Sequence, residues 1–368
     1  MKTYYWQLAN NAGDAAIFHK GAQLIKEGQV VAFPTETVYG LGANGLNSEA
    51  VAKIYQAKGR PSDNPLILHI AKREDIEPLT TGLTANAKVL MEHFWPGPLT
   101  LIVAKSSIIP DVVSAGLSTV AVRFPSNPQA QAFIAACGCP IAAPSANLSG
   151  RPSPTNGADV LEDMEGRIAG IIDGGACGIG LESTVVDTTE PVPVILRPGG
   201  ITYEMLTEVL GAVEIDPALQ GDTSFKPKAP GMKYRHYAPQ APMYLLEGEA
   251  AELLPQAVAK ALEAGKVVGV LCDAKMAQQL PRDHRLQIAC WGESPKELAE
   301  GLFYLLRDFD RTKPDLIIAQ GIREEGLGLA IMNRMRKAAG YQSIFWEKGS
   351  IFVKNPALFP GFMLQLAK

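Results

Sequence analysis

The chain has 368 residues and a formal net charge of −4, from 34 Lys and Arg against 38 Asp and Glu. That length exceeds a usual single core and favours two domains, and a composition of 47% hydrophobic and 20% charged residues excludes a disordered chain. The acidic balance excludes a surface built throughout to neutralise nucleic-acid phosphates, so any polyanion site has to be local.

In chain order, "GQVVAFPTETVYGLGANG" opens with a buried strand, Val30 to Phe33, and runs into a glycine-rich loop. Asn47 is placed to cap a helix with an apolar stripe of Val51, Ile54 and Tyr55 and with Glu49 in its first turn. Pro61 disfavours helical geometry at Arg60, so that helix stops near Lys58 and Arg60. "PLILHI" reads as a strand, as do "TLIVAK", "TVAVRF", "CPIAAPSAN", "AGIIDGG" and "STVVDTT", with helices over Ala85 to Phe94 and Pro128 to Ala136. "YEMLTEVLG" gives one more helix. From Asp216 to Pro242 proline and glycine dominate without periodicity, which marks a linker. Beyond it, "KVVGVLCD" and "DLIIAQG" read as strands. "SPKELAEGLFYLLRDFDR" reads as an amphipathic helix with a stripe of Leu298, Leu302, Leu305 and Phe309, opened by Ser294, Pro295 and Glu297 as a capping box. "GLGLAIMNRMRKAAG" reads as a helix ending at Gly340. Strands alternating with helices predict a small parallel-sheet domain. The expected boundaries are a catalytic domain over 1–212, a linker over 213–241 and a second domain over 242–368.

No Walker-type G-x-x-x-x-G-K-[ST], no G-x-S-x-G elbow and no H-E-x-x-H occurs, and neither "GGACGIG" nor "GLGLA" satisfies G-x-G-x-x-G, so covalent catalysis and a Walker-type phosphate loop have no support. The five cysteines are odd in number. Cys137 and Cys139 are followed by no Cys or His pair at zinc-site spacing, so neither a disulfide framework nor a structural metal is expected. With no run of about 18 apolar residues and no apolar leader in "MKTYYWQLANN", a cytoplasmic location away from membranes is expected. What remains is a set of polar side chains at strand ends, where α/β sheets place ligands. Ser145 and Asn147 follow "PIAAP", Ser183 and Thr184 open a strand, and Arg123 and Arg197 close two others. A plain turn accounts for isolated hydroxyls there, but guanidiniums and hydroxyls together suit carboxylate and phosphate recognition. Lys58 and Arg60 suit either a helix dipole or a phosphate. His69, inside a strand, reads by default as a buried histidine with one nitrogen bonded. Catalysis by positioning and charge neutralisation is the chemistry left open.

At "FPTETVYGLG", "AKGRPSDNPL", "PSANLSG", "STVVD" and "LRPG", in that order, the chain resembles the YrdC-like threonylcarbamoyl-AMP synthases. "APGMKYRHYAP" and "GLGLAIMNRMRKAAG" extend the resemblance to the long, two-domain Sua-type branch. The resemblance implies an α/β fold: a YrdC-like mixed twisted sheet with helices around a basic cavity, plus a smaller C-terminal Rossmann-like parallel-sheet domain. It implies that L-threonine, bicarbonate and ATP, the last with Mg2+, give threonylcarbamoyl-AMP and pyrophosphate. A separate tRNA threonylcarbamoyl transferase complex then consumes the adenylate, and direct tRNA binding stays open. By position, Thr35, His69, Arg123, the backbone at Ala143 and Ser183 are implied around L-threonine. On the ATP side are Lys58, Arg60, Asn64, Thr119, Ser145, Asn147, Ser153, Arg197 and Tyr234. Lys58 and Arg60 are the implied catalytic cations, facing a cavity because the prolines end their helix, and the linker is implied to close over it as a lid. An RNA-binding translation-associated module and a carbamoyl-transfer domain are the competing functions on the same fold.

Overall fold

The structure is a computed structural model and describes residues 1–220, 236–347, 350–354 and 360–361. The described chain divides into two compact units, residues 1–149 with 153–220, and residues 150–152 with 236 onward.

The first unit contains strands β1 (Tyr4–Gln7), β2 (Val31–Phe33), β3 (Gly40–Asn44), β4 (Ile67–His69), β5 (Leu99–Ala104), β6 (Thr119–Arg123), β7 (Ile141–Ala142), β8 (Gly170–Asp173), β9 (Thr184–Asp187), β10 (Val194–Arg197) and β11 (Glu214–Ile215). Its helices are α1 (Asp14–Lys26), α2 (Ser48–Lys58), α3 (Ala85–Phe94), α4 (Asp111–Ser114), α5 (Pro128–Cys137), α6 (Gly157–Met164) and α7 (Tyr203–Leu210). The strands form one mixed sheet in the order β1-β8-β2-β3-β7-β4-β6-β5-β9-β10-β11.

The period of two along β2 divides the core between the sheet's faces. Val31 and Phe33 pack with Phe18 and Ile25 of α1 and Phe133 and Ile134 of α5. Ala32, between them, joins Leu41, Ile54, Leu68, Leu101 and Val122. The glycine-rich stretch expected as a loop is strand β3. Its glycines serve packing: a Cβ on Gly42 would lie 2.8 Å from the Ile141 side chain and 2.9 Å from the Phe33 ring.

Helix α2 starts as its sequence requires, with Asn47 Oδ1 accepting from the backbone N–H of Glu49 and Ala50. It ends one step earlier than the prolines demand. Gly59 takes a left-handed conformation (φ 62°, ψ 37°) and its N–H closes the last turn on Tyr55 and Gln56, the usual glycine stop. Pro61 then bars any continuation.

The second unit contains β12 (Met243–Glu247), β13 (Val268–Cys272), β14 (Leu286–Cys290), β15 (Leu316–Gln320), β16 (Ser343–Glu347) and β17 (Ser350–Lys354), with α8 (Leu254–Glu263), α9 (Ala274–Ala277), α10 (Pro295–Thr312) and α11 (Leu327–Ala338). The sheet order is β14-β13-β15-β12-β16-β17. All its pairings are parallel except β16 with β17. Ser294 and Glu297 form the reciprocal capping box of α10. The buried stripe of that helix runs through Leu306, while Leu305 is only half-buried, because after Leu302 the core face is reached again four residues on. Among the described residues no helix is long and apolar enough to cross a membrane.

Candidate functional site

Six neighbouring strands of the first sheet, β7-β4-β6-β5-β9-β10, carry His69, Thr119, Arg123, Thr184 and Arg197, with Ser183 directly before β9. Register sets them in a row. His69 pairs with Arg123 across β4 and β6, and Arg123 with Thr100 across β6 and β5. Thr100 pairs with Val185 across β5 and β9, and Val185 with Arg197 across β9 and β10. Paired residues share a face of a sheet, so His69, Arg123, Thr100 and Arg197 project on one side. At roughly 4.8 Å per strand the row is about 19 Å long. Every member, with Ser183, is 6% exposed or less. Buried polar groups are tolerated when bonded, and the two ends of the row meet that demand differently.

At the Arg197 end the groups satisfy one another. The Ser183 hydroxyl lies 2.7 Å from Thr100 Oγ1 and accepts from Arg197 Nη2 at 3.0 Å, while Arg197 Nε donates to the Ser183 carbonyl at 2.9 Å.

At the His69 end the β2–β3 turn closes over Arg123. Thr35 Oγ1 accepts from the Thr37 N–H and donates to the Val38 carbonyl, and Arg123 Nη1 donates to Thr37 Oγ1 at 2.8 Å. Glu36 Oε1 sits 2.7 Å from Arg123 Nη2 as an ion pair and accepts from the Ser126 N–H at 3.0 Å. Burial alone raises the Glu36 carboxyl, but Arg123 and the Ser126 N–H outweigh it and hold the group below the ordinary carboxylate range. His69 is pushed down to about 3, first by burial and then by the Arg123 charge, so its ring is neutral. Among the described residues three buried atoms here lack a hydrogen-bond partner: Glu36 Oε2, His69 Nδ1 and Arg123 Nη2, whose contact with Glu36 is an ion pair by distance but not a hydrogen bond by direction.

The second group lies at the end of α2. Lys58 is 3% exposed and turns inward: its ammonium donates to the carbonyls of Ser145 and Asn147, with Asn147 Oδ1 at 3.3 Å. It thereby fastens the segment after β7, which the Ser149 N–H also ties to the Lys58 carbonyl. The Ser145 hydroxyl donates to Asn147 Oδ1. Arg60 Nη2 donates to the Asn64 carbonyl at 3.2 Å and its guanidinium stands 6.0 Å from the Tyr55 ring centroid. The Asn64 side chain is fully buried with neither polar atom partnered among the described residues.

The other candidates disperse more. Ala143 is buried and its N–H is taken by the Ile67 carbonyl. Ser153 donates to Glu182 Oε1 at 2.6 Å. Thr119 begins β6, four residues from Arg123 at the other end of that strand. Tyr234 lies outside the described residues. Glu36, Thr37 and Thr100 join the row without having been singled out. Only their places, flanking Thr35 in "PTET" and alternating inward in "TLIVAK", could have pointed to them. A groove of about 610 Å³ lined by Leu46, Ile70, Pro78, Ile108 and Cys139 among others takes in none of these residues. No three His, Cys, Asp or Glu side chains among the described residues converge to hold a metal ion.

A mixed sheet carrying a buried, cation-rich row, followed by a parallel-sheet unit, defines a two-domain α/β protein with its polar chemistry in the first domain. Comparison with known proteins narrows that class. Residues 23–199 match the Sua5_yciO_yrdC family model, described as telomere recombination, and residues 201–340 match Sua5_C, described as threonylcarbamoyl-AMP synthase, C-terminal domain. The threonylcarbamoyl-AMP synthase of Bacillus subtilis is 49% identical over 348 residues, covering 92% of this chain and 99% of that protein. That of Pyrococcus abyssi is 49% identical over 326 residues, covering 88% and 94%. A crystal structure of P. abyssi Sua5 complexed with L-threonine superposes with a TM-score of 0.88 at 46% identity, over 94% of this chain and 100% of that one. The chain belongs to the threonylcarbamoyl-AMP synthase family, in its long, two-domain Sua5 branch.

Proposed function

We propose that this chain forms threonylcarbamoyl-AMP and pyrophosphate from L-threonine, bicarbonate and ATP, for a separate transferase complex to load onto tRNA. The observation that carries the reading is near-half identity over almost the whole length of two synthases. The buried row at His69, Arg123, Thr100, Ser183 and Arg197 supports it. In this reading Arg123 takes the threonine carboxylate, with Thr35, His69, the Ala143 backbone and Ser183 around it. Arg60, Asn64, Thr119, Ser145, Asn147, Ser153, Arg197 and Tyr234 hold ATP. Lys58 acts on the nucleotide side by fixing the Ser145–Asn147 segment.

Threonine's amine, after loss of its ammonium proton, forms a bond to the bicarbonate carbon and water leaves, giving a carbamate, whose oxygen attacks the α-phosphorus while the bond to pyrophosphate breaks. The protein's task is to hold two anions together, which needs fixed cations more than acid–base groups. Magnesium arrives with ATP as part of the substrate. The domain assignment goes with the function: synthesis in 1–212, with 213–241 joining it to 242–368.

Pyrophosphate release by the purified chain, with threonine, bicarbonate and ATP omitted in turn, tests the reading. Release that needs all three is the expected result. ATP turnover without threonine supports the carbamoyl-transfer alternative, and RNA binding without turnover the RNA-module alternative.

A further inference from the structure

Around Arg123 the molecule leaves an unusual set of groups unfilled. A buried N–H of the guanidinium, a buried carboxylate oxygen of Glu36 and a buried ring nitrogen of His69 all lack hydrogen-bond partners among the described residues. Desolvated polar atoms left this way cost folding free energy, so three around one side chain mark a place shaped for something other than the protein itself. Donor and acceptor sit side by side: Arg123 Nη2 and Glu36 Oε1 are 2.7 Å apart, with Oε2 on the same carboxyl carbon. An α-amino acid has a complementary arrangement, an anionic carboxylate and a cationic ammonium on one carbon.

We propose that Glu36 is a specificity-determining residue of this site, its free Oε2 accepting a hydrogen bond from the α-ammonium of threonine while Arg123 binds the carboxylate. This deepens the reading given under Proposed function and rests on it. Oε2 is the atom free for the task, because Oε1 is already taken by Arg123 and the Ser126 N–H. The backbone of Glu36 is fixed as well, its carbonyl accepting from the Ile179 N–H at 2.8 Å, so the carboxylate is presented from a held turn. Arg123 keeps Glu36 ionised and therefore an acceptor only, which a hydroxyl or amide in its place would not be. A neutral His69 ring adds no second positive charge to repel the ammonium. The pairing also discriminates: a 2-hydroxy acid of the same shape offers no cation to the carboxylate.

The test compares binding of L-threonine and of its deaminated analogue 2,3-dihydroxybutanoate to the full chain by calorimetry. Glu36→Gln is the informative variant, because its amide oxygen can keep both Oε1 contacts while an N–H replaces Oε2. Expected are a preference of the unaltered chain for threonine, a loss of threonine affinity in Glu36→Gln of roughly 10- to 100-fold, as for a charge-assisted hydrogen bond, and analogue binding that stays the same, so that the preference collapses. Glu36→Asp, which keeps the charge and draws it back, is expected to fall between the two. It carries the test alone if Glu36→Gln does not melt cooperatively. Equal weakening of both ligands would make Glu36 a structural partner of Arg123 only and overturn the proposal, as would no change for either. Failure of the unaltered chain to bind threonine at all overturns the substrate reading instead, and this proposal with it.

Discussion

The two sheets of this chain place their polar side chains differently. In the second unit the central strands are apolar almost throughout, as a parallel sheet covered on both faces should be, and charged and amide groups at the ends of β12, β13 and β15 close on one another, while Gln287 Oε1 and Gln342 Oε1 lack a hydrogen-bond partner among the described residues. Gln320 and Asp273 exchange hydrogen bonds at 2.9 Å between the ends of β15 and β13, and Arg336 joins Glu247 of β12 to Glu324. In the first unit a row of polar residues crosses the middle of the sheet, closed at Ser183 and Arg197 and unfilled at Arg123. Closed sets stabilise a fold by themselves, whereas an unfilled set detracts from stability until a ligand completes it. The proposed function puts substrate chemistry in the first sheet and leaves architecture to the second, and substitutions can break or sharpen that division.

Arg123→Ala should have the largest effect. It removes the cation proposed for the threonine carboxylate and strands Glu36 as a buried, unpaired charge. A loss of about 100-fold or more in kcat/KM for threonine is expected, with about 3–5 kcal/mol of stability lost in denaturant unfolding. Arg123→Lys should restore some stability but little activity, because an ammonium cannot serve Thr37, Glu36 and a carboxylate at once. Activity within a fewfold of the unaltered enzyme would break the assignment.

Lys58→Met should come next and fall on the other substrate. Without its ammonium the carbonyls of Ser145 and Asn147 lose their shared donor. The expected result is a KM for ATP raised by about tenfold, the scale of one charge-assisted hydrogen bond, with threonine binding unchanged. If threonine binding falls equally, the two groups of side chains form one unit rather than two.

The sequence made much of this visible, and the exceptions share a cause. Asn47, the Ser294–Glu297 box and the strand cores follow local rules, and they stand where those rules put them. Leu305 and Leu306 differ by one residue of helical phase, which the apolar pattern of "FYLLRDF" does not fix but tertiary packing does. Strand β3 was hidden because glycine disfavours a strand on its own, and the reason for Gly42 lies in Ile141 and Phe33, distant in sequence. For the same reason Lys58 and Arg123 could be noticed, but not the carbonyls that hold the first or the Glu36 carboxylate that faces the second. A contact is set by sheet order, and the order β7-β4-β6-β5-β9 is far from the order of the chain.

His69 offers a subtler measure, in stability against pH. Its folded-state pKa of about 3 lies below the ordinary 6.5, so between those values the unfolded chain carries a proton that the folded chain refuses. The contribution is complete above about pH 6.5 and is lost as the pH falls toward 3, by at most about 1.4 kcal/mol per pH unit. Glu36 and Arg123 face the same ring and Glu36 titrates in acid as well, so the informative quantity is the difference between the unaltered chain and His69→Gln in unfolding free energy from pH 7 to 4. The variant should show the shallower slope, and parallel slopes would mean that the ring accepts its proton in the folded state.

The smallest effect is expected in the second sheet. Arg336 makes short contacts to Glu247 and Glu324 and is held well above the ordinary arginine range. Burial works against that, and the two carboxylates more than offset it. Yet the arginine and Glu324 side chains remain 27% and 41% exposed, so water already screens much of the attraction. Arg336→Met keeps an unbranched apolar stem along the α11 surface and removes the guanidinium with its charge and its hydrogen bonds to Glu247 and Glu324. A change of about 1 kcal/mol or less in unfolding free energy is expected, with pyrophosphate release unaltered. A large loss of activity in a variant that still unfolds cooperatively would show that the closed polar set of the second sheet also serves the reaction, and the division between a chemical sheet and an architectural one would no longer hold.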